Sequence, residues 1–437
     1  MYIHKITLAN IRGFKSLDFD LQRPDKSYAG WTVFTGDNGS GKSTLLKAIA
    51  MGLVGPDTRR PLQQSLHRWI SASSKDKKGS IELQIKCTPD DSDLDGKGNK
   101  PANIFPATLE LINGGKQTEM TSPHSVAGKN KKSPPERTIW SPNTTGWFSC
   151  GYGPFRRVFG ASAEATEVMA ERSTARYATM FLEAASLSPA DRWLKDLDHK
   201  AARDSTSRER EELDLILKIL KDELMPNGMT IKRVDADGLW LTDSNGVELS
   251  WGEMSDGYRA ALALLTDILR HLSYANEDKG LKNLAQLDKE GRLFINCTGV
   301  VLIDEIDAHL HPEWQQEIGF WLKRHFPNIQ FLVTTHSPLI CQAADINGLF
   351  VLPAPGGKEE PRALSETEYK TVVSSRPDTI LLTPAFGLQN TRSRKAVDAR
   401  AVLSRLEAKK RNGTRLSPDE QKQEKQLELF ANTDEEL

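Results

Sequence analysis

Residues 36–44 read Gly-Asp-Asn-Gly-Ser-Gly-Lys-Ser-Thr, and this stretch decides the fold. It fits G-x-x-x-x-G-K-[ST], follows the apolar run Trp31–Thr35 and precedes the helix-like run Thr44–Ala50. A strand, a glycine-rich loop and a helix in that order are the context of a phosphate-binding loop. Glycines 36, 39 and 41 let the backbone curl so that its N–H groups face phosphate oxygens. The helix start adds a positive dipole end. The motif predicts that Asn38, Gly39, Ser40, Gly41, Lys42, Ser43 and Thr44 line a nucleotide. Lys42 reaches the β- and γ-phosphates, and the Ser43 hydroxyl holds Mg²⁺.

Outward from this loop the chain alternates strand and helix. Residues 2–9 and 17–21 read as strands before it, with Arg12 between them as either a nucleotide contact or an exposed turn arginine. Residues 79–87, 107–112 and 138–140 read as strands of a β-lobe with polar loops. Lys129, Lys131 and Lys132 form a small basic knot there. The loop Ser149–Arg157 carries two glycines, a proline and two arginines, which fits either plain packing or a place beside an anionic group. Residues 162–224 read as a helical lobe. Buried strands at 299–303, 329–333 and 348–352 flank an amphipathic helix with Trp314, Ile318, Trp321 and Leu322 on one stripe. Apolar strands alternating with helices predict a parallel sheet covered on both faces.

Three further stretches carry chemistry. Asp304-Glu305 ends the strand 299–303 and reads as a Walker B pair. Asp304 is expected to bind Mg²⁺ through water, and Glu305 to be the general base toward the attacking water. His336, one strand later in Thr334-Thr-His-Ser-Pro338, stands where a polar group reaches a γ-phosphate. Residues 249–259 contain two overlapping pentads, Leu249–Glu253 and Met254–Tyr258, that resemble the LSGGQ signature of ABC-type ATPases. The second is preferred, because Ser255 and Gly257 then open the helix running to Leu272, where N–H groups are free. A signature helix serves the site of another subunit, so Ser255 predicts a head-to-tail dimer around ATP.

The totals set limits. The chain has 437 residues, a formal net charge of −1 and four cysteines at 87, 150, 297 and 341 with no C-x-x-C pair. A near-neutral chain gives no global electrostatic reason to bind nucleic acid. The cysteines argue against a zinc site or disulfide framework. The absence of a leader pattern and of a long apolar run predicts a cytoplasmic protein with no membrane contact.

Taken together, Asn10-Ile-Arg-Gly-Phe-Lys-Ser16, the phosphate loop, Met254–Arg259, Ile303–Glu305 with His309-Leu-His-Pro312, and Thr334–Pro338 resemble the ABC/SMC-type AAA ATPases related to RecF and the OLD nucleases. More narrowly, Gly151–Arg157, Trp193–Leu197, Ser255–Arg259 and Thr383–Leu388 are similar to the ATPase subunits of Septu-type and retron-associated antiphage defence systems. The resemblance implies an α/β fold: an ABC-type ATPase head with a mixed or parallel nucleotide-binding sheet, an antiparallel β-lobe, a helical signature lobe and a helical C-terminal extension. The expected boundaries are 1–160 for the phosphate loop and β-lobe, 161–290 for the signature lobe, 291–352 for the Walker B and His336 strands, and 353–437 for a partner-binding extension. The implied activity is Mg²⁺-dependent ATP hydrolysis in an antiphage complex, with ATP and Mg²⁺ bound. The implied partners are a second copy in an ATP sandwich, from which larger oligomers can be built, and an HNH-type nuclease; DNA stays open as a further partner. Two departures stand out. No Q-loop glutamine is evident, and the loop around Tyr152 occupies its place. No sustained heptads separate the Walker motifs, which excludes long coiled-coil arms. A DNA-clamping repair ATPase of the RecF kind is the alternative function.

Overall fold

The structure is a computed structural model that describes residues 1–63, 65–87, 100–115, 117–123, 132–141, 147–222, 225, 228–357 and 359–431. Lys129 and Lys131 of the basic knot lie outside the described residues. The chain divides into two compact units, Met1–Ser375 and Arg376–Leu437.

The first unit is built on a six-stranded sheet in the order Arg362–Ala363, Leu349–Leu352, Gly30–Gly36, Ile329–Thr334, Gly299–Ile303, Phe148–Tyr152. Every neighbouring pair is parallel except the edge pair with Arg362–Ala363. The parallel strands are almost wholly buried, which explains their unbroken apolar runs. Because they run the same way, Gly36, Thr334, Ile303 and Tyr152 all end on one edge of the sheet. A second, antiparallel sheet has the order Phe14–Asp20, Tyr2–Ile11, Lys78–Lys86, Ile104–Asn113, Thr118–Thr121. This is the expected β-lobe.

The phosphate-loop helix Lys42–Leu62 shares one core with residues of both sheets, so Thr44 to Gly55 is buried on nearly every side. Gly52 allows the closest approach: a Cβ there would lie 2.6 Å from Leu83. The helix breaks at Gly55 (φ +79), whose missing side chain leaves room for the Trp140 ring. The residues Thr138–Trp140 are not the strand their apolar character predicts. Ser133 and Glu136 form a capping box on a short helix, Pro134–Arg137, and the amides of Thr138 and Trp140 both donate to the Pro135 carbonyl. That local bonding overrides strand propensity.

The signature lobe carries helices Ser188–Arg203 and Arg208–Leu220 and a three-stranded sheet, Glu248–Ser250, Gly238–Thr242, Thr230–Asp235. These lead into the helix Asp256–Ala275, with Ser255 at its N-cap. Residues 260–273 of that helix are buried, including the polar Asp267, Arg270 and His271. Asp267 pairs with Arg270 at 2.6 Å and His271 at 3.2 Å, and accepts from the Tyr152 hydroxyl at 3.1 Å. The carboxylate is therefore held well below its usual range despite burial. The unit continues past Leu352 because Arg362–Ala363 joins the sheet and Glu366–Ser374 packs beside Pro338–Cys341.

The second unit contains Pro377–Leu381 and a helical hairpin, Arg394–Arg411 with Pro418–Ala431. Lys409–Glu420 and Lys410–Glu424 ion pairs tie its arms. Leu403, Leu406 and Leu416 are buried there.

Candidate active site

The loop 36–44 has the conformation its glycines permit. Gly36, Gly39 and Gly41 take φ +146, +80 and +97. A Cβ on Gly36 would meet the Leu352 carbonyl at 2.4 Å, and one on Gly41 the Phe14 ring at 2.6 Å. Asp37, Asn38 and Gly39 are exposed, Ser43 is half-buried, and Ser40, Lys42 and Thr44 are buried. Among the described residues the amides of Gly39, Gly41, Lys42 and Ser43 donate to no protein acceptor. They are the unsatisfied donors of a loop and helix start, and they suit an anion.

Lys42 curls back and donates to the carbonyls of Gly36 (2.8 Å) and Asp37 (3.0 Å). Burial holds its pKa below the ordinary lysine value, opposed by the nearby carboxylates of Glu305, Asp304, Asp37 and Asp307. The sheet thus brings the loop and the Asp304-Glu305 pair into electrostatic reach, because their strands flank Ile329–Thr334. The Ser40 hydroxyl is buried with no protein partner, a polar atom that a bound oxygen would satisfy.

Thr334 holds the acidic pair. Its hydroxyl donates to the Asp304 carboxylate (2.5 Å) and accepts from the Glu305 amide (2.7 Å). Asp304 is 1% exposed and its amide donates to the Tyr152 carbonyl. Glu305 takes φ +46, a left-handed conformation unusual for a residue with a side chain. Next to it, Asp307 accepts from the Thr335 hydroxyl and, at 3.3 Å, from the His336 amide. His336 is exposed two residues past the end of the strand Ile329–Thr334.

Arg156 is the residue sequence reasoning left unassigned. Its buried guanidinium donates to the carbonyls of Asp304 (2.8 Å), Glu305 (3.0 Å), Ile306 (3.3 Å) and Ala308 (3.1 Å), and to Gly153 (3.3 Å). Burial lowers its pKa to about 10, opposed by Asp307, Asp304 and Glu305. The two glycines before it serve packing: Cβ atoms on Gly151 and Gly153 would strike the Tyr177 ring at 2.6 Å and the Thr179 carbonyl at 2.3 Å. Tyr152 turns its hydroxyl into the Asp267 cluster rather than toward the loop. The clue in the sequence was an arginine inside a glycine-proline turn that follows a strand; its partner was not readable.

Arg12 takes φ +46, stacks 4.3 Å over Trp69 and donates to the Thr44 hydroxyl at 3.3 Å. It therefore lies beside the first turn of the phosphate-loop helix, exposed. Ser255 is also exposed, and its side chain makes no cap hydrogen bond. Gly257 is pressed against the turn after Glu305: a Cβ there would lie 2.4 Å from the His309 carbonyl. Among the described residues, Ser255 and Gly257 make no hydrogen bond to their own 36–44 loop.

Among the described residues no cluster of three His, Cys, Asp or Glu could hold a metal by itself. Mg²⁺ keeps several waters and phosphate oxygens and takes few protein ligands, so one hydroxyl and one carboxylate are a sufficient protein donor set. Ser43 and Asp304 are the fitting donors. Free loop amides, a buried ammonium and the orphaned Ser40 hydroxyl fit a polyphosphate.

The chain is 28% identical over 407 residues to the "Retron Ec83 probable ATPase" of Escherichia coli, covering 79% of this chain and 70% of that protein. It is 25% identical over 344 residues to the "Septu protein PtuA" of Bacillus mycoides, covering 77% of this chain but 38% of that one. An Smc head domain derived from Pyrococcus furiosus aligns over 85% of this chain and 98% of its own at 17% identity, with a TM-score of 0.47. No described helix is long and apolar enough to cross a membrane. Residues 31–342 match the family described as "AAA domain, putative AbiEii toxin, Type IV TA system", and the chain belongs to that family.

Proposed function

We propose that this chain is the Mg²⁺-dependent ATPase of a cytoplasmic antiphage defence complex, pairing head-to-tail around ATP and controlling an associated nuclease. One observation carries the reading: the loop of Lys42 and the Thr334-held Asp304-Glu305 pair follow two parallel strands that flank Ile329–Thr334 on either side. Loop amides and Lys42 bind the β- and γ-phosphates, with Asn38, Ser40 and Thr44 lining the loop and Arg12 at its helix. Mg²⁺, held by Ser43 and Asp304, supplies neutralisation of phosphate charge when bound. Glu305 takes a proton from the attacking water, and His336 hydrogen-bonds the γ-phosphate from the next strand end.

The dimer rests on Ser255 and Gly257. Ser255 is exposed at the N-cap of the helix Asp256–Ala275, Gly257 is half-buried in its first turn, and among the described residues neither hydrogen-bonds the chain's own phosphate loop. A second copy's ATP is the ligand that uses them. The defence role follows the names of the retron and Septu relatives. The partner is an HNH-type nuclease that docks on residues 376–437. There Leu382, Leu388 and Val397 are exposed although the hairpin's inner leucines are covered. DNA is the substrate the nuclease brings, and larger assemblies arise from the dimer.

The test is complementation. Ser255→Arg and Lys42→Ala chains should each be inactive in ATP hydrolysis, and their mixture should regain about one site per mixed dimer. Mixed dimers that form and show no hydrolysis would sink the trans site. Glu305→Gln should bind ATP with near wild-type affinity and lose about 100-fold or more in turnover; full turnover would remove Glu305 as base. Truncation after Ser375 should abolish co-purification of the nuclease while ATP binding stays.

A further inference from the structure

The turn after Asp304 is held in a conformation its own residues do not favour. Glu305 and His309 take φ +46 and +67, and neither is glycine. Such conformations persist only when surrounding structure imposes them. The elements that hold this turn come from three distant places. Thr334 holds the Asp304 side chain and the Glu305 amide. Gly257 stands against the His309 carbonyl, at a distance where a Cβ would not fit. Arg156 takes four carbonyls of the turn, from Asp304, Glu305, Ile306 and Ala308.

Arg156 is the unusual member. Its guanidinium is buried, and the groups within hydrogen-bond reach of it are carbonyl oxygens rather than carboxylates. A desolvated charge spent on main-chain oxygens is costly unless those oxygens lack other donors. Among the described residues the Asp304, Ile306 and Ala308 carbonyls take no other main-chain donor, while the Glu305 carbonyl also accepts from the Ala308 amide. The planar fork of two terminal nitrogens spans four carbonyls of one turn, those of residues 304, 305, 306 and 308; a single ammonium cannot. The strand before it is also tied to the same place, since the Asp304 amide donates to the Tyr152 carbonyl.

We propose that Arg156 is the positioning residue of the hydrolytic site: it fixes the left-handed backbone of Glu305 and thereby aims the carboxylate that activates water. This deepens the function proposed above and rests on Glu305 being the base. Without Arg156 the Glu305 peptide relaxes toward an ordinary φ, the carboxylate swings away, and ATP still binds because Lys42 and the loop amides are untouched.

The test has a chemical and a structural readout on the full chain. Arg156→Ala should lower kcat by about 100-fold, the scale of an ångström-sized misplacement, while KM for ATP stays within about threefold. Guanidinium ion added to the alanine variant should restore part of kcat, and methylammonium should not. Arg156→Lys should resemble the alanine variant, and it is the fallback if alanine prevents folding. In a Glu305→Gln background Arg156→Ala should cost almost nothing more, because both remove one function. Hydrogen exchange without nucleotide should rise about tenfold at amides 305–308 and stay unchanged in strand Gly299–Ile303. Unchanged exchange at 305–308, or an equal kcat loss in both backgrounds, overturns the proposal. If Glu305→Gln keeps full turnover, the base assignment fails, and the exchange measurement still decides whether Arg156 sets the turn.

Discussion

The two halves of the site are held in opposite ways. The loop 36–44 takes its three positive φ values at Gly36, Gly39 and Gly41, where glycine makes them inexpensive. The turn 304–309 takes two at Glu305 and His309, where side chains make them unfavourable. The first half is written locally and is recognisable in nine consecutive letters. The second is imposed from residues 156, 257 and 334, far apart in sequence. A phosphate cradle can be local because the groups it offers, main-chain N–H together with the Ser40, Lys42 and Ser43 side chains, all come from the same nine residues. A general base must be aimed, and aiming needs contacts from outside its own segment.

The comparison can be broken most forcefully at Gly41. Gly41→Ala puts a Cβ 2.6 Å from the Phe14 ring at φ +97. We expect ATP affinity to fall by about 100-fold and folding stability by about 2–3 kcal/mol, from clash plus strain. Adding Phe14→Ala should relieve the clash and leave the strain, so affinity should recover only in part; isothermal titration decides. Full recovery would mean that sterics alone, not φ, shape the loop.

Thr334→Val should act next, on the other half. It keeps the shape but leaves the buried Asp304 carboxylate and the Glu305 amide short of a partner, at a cost of about 2–3 kcal/mol. Turnover should drop by about tenfold with ATP binding retained. Loss of binding equal to the loss of turnover would show that the two halves are not separable.

The smallest expected effect concerns two buried histidines, His271 of the helix Asp256–Ala275 and His325 at the end of the helix Pro312–His325. Burial keeps the His271 and His325 pKa values below the ordinary 6.5. The unfolded chain therefore takes up protons first as the pH falls through 6.5, and stability is lost below that value. Asp267, held low, contributes nothing to this window and gives way only in stronger acid. Calorimetry between pH 7.5 and 5.5 should show a falling Tm, and His271→Gln should flatten the slope. Because Tyr152 connects the Asp267 cluster to the Asp304 amide, exchange at 304–305 should rise in acid before exchange in the 36–44 loop. The reverse order would contradict that connection.

Much of the fold was legible because burial leaves a period in the letters. The parallel strands read as apolar runs, and the antiparallel Lys78–Lys86 strand alternates inward and outward residues. Ser255 reads as a helix start, and it is the N-cap. The helix Pro134–Arg137 was hidden because a capping box at Ser133 and Glu136 outweighs the apolar look of Ile139 and Trp140. The role of Thr334 was hidden in a threonine-rich strand end, where nothing local distinguishes it from Thr335.

By itself the sequence determined the phosphate loop, the acidic pair, the order of strands and helices, and the head-like α/β class. These depend on local φ preferences and on hydrophobic period, which act over a few residues and leave a pattern in the chain. Only the tertiary structure decided that Arg156 spans the Glu305 turn, that Gly257 rests on the His309 carbonyl, and that Leu403, Leu406 and Leu416 are buried. The reason is physical: main-chain carbonyls carry no residue identity, so a side chain that binds them leaves no matching letter at the other end of the contact.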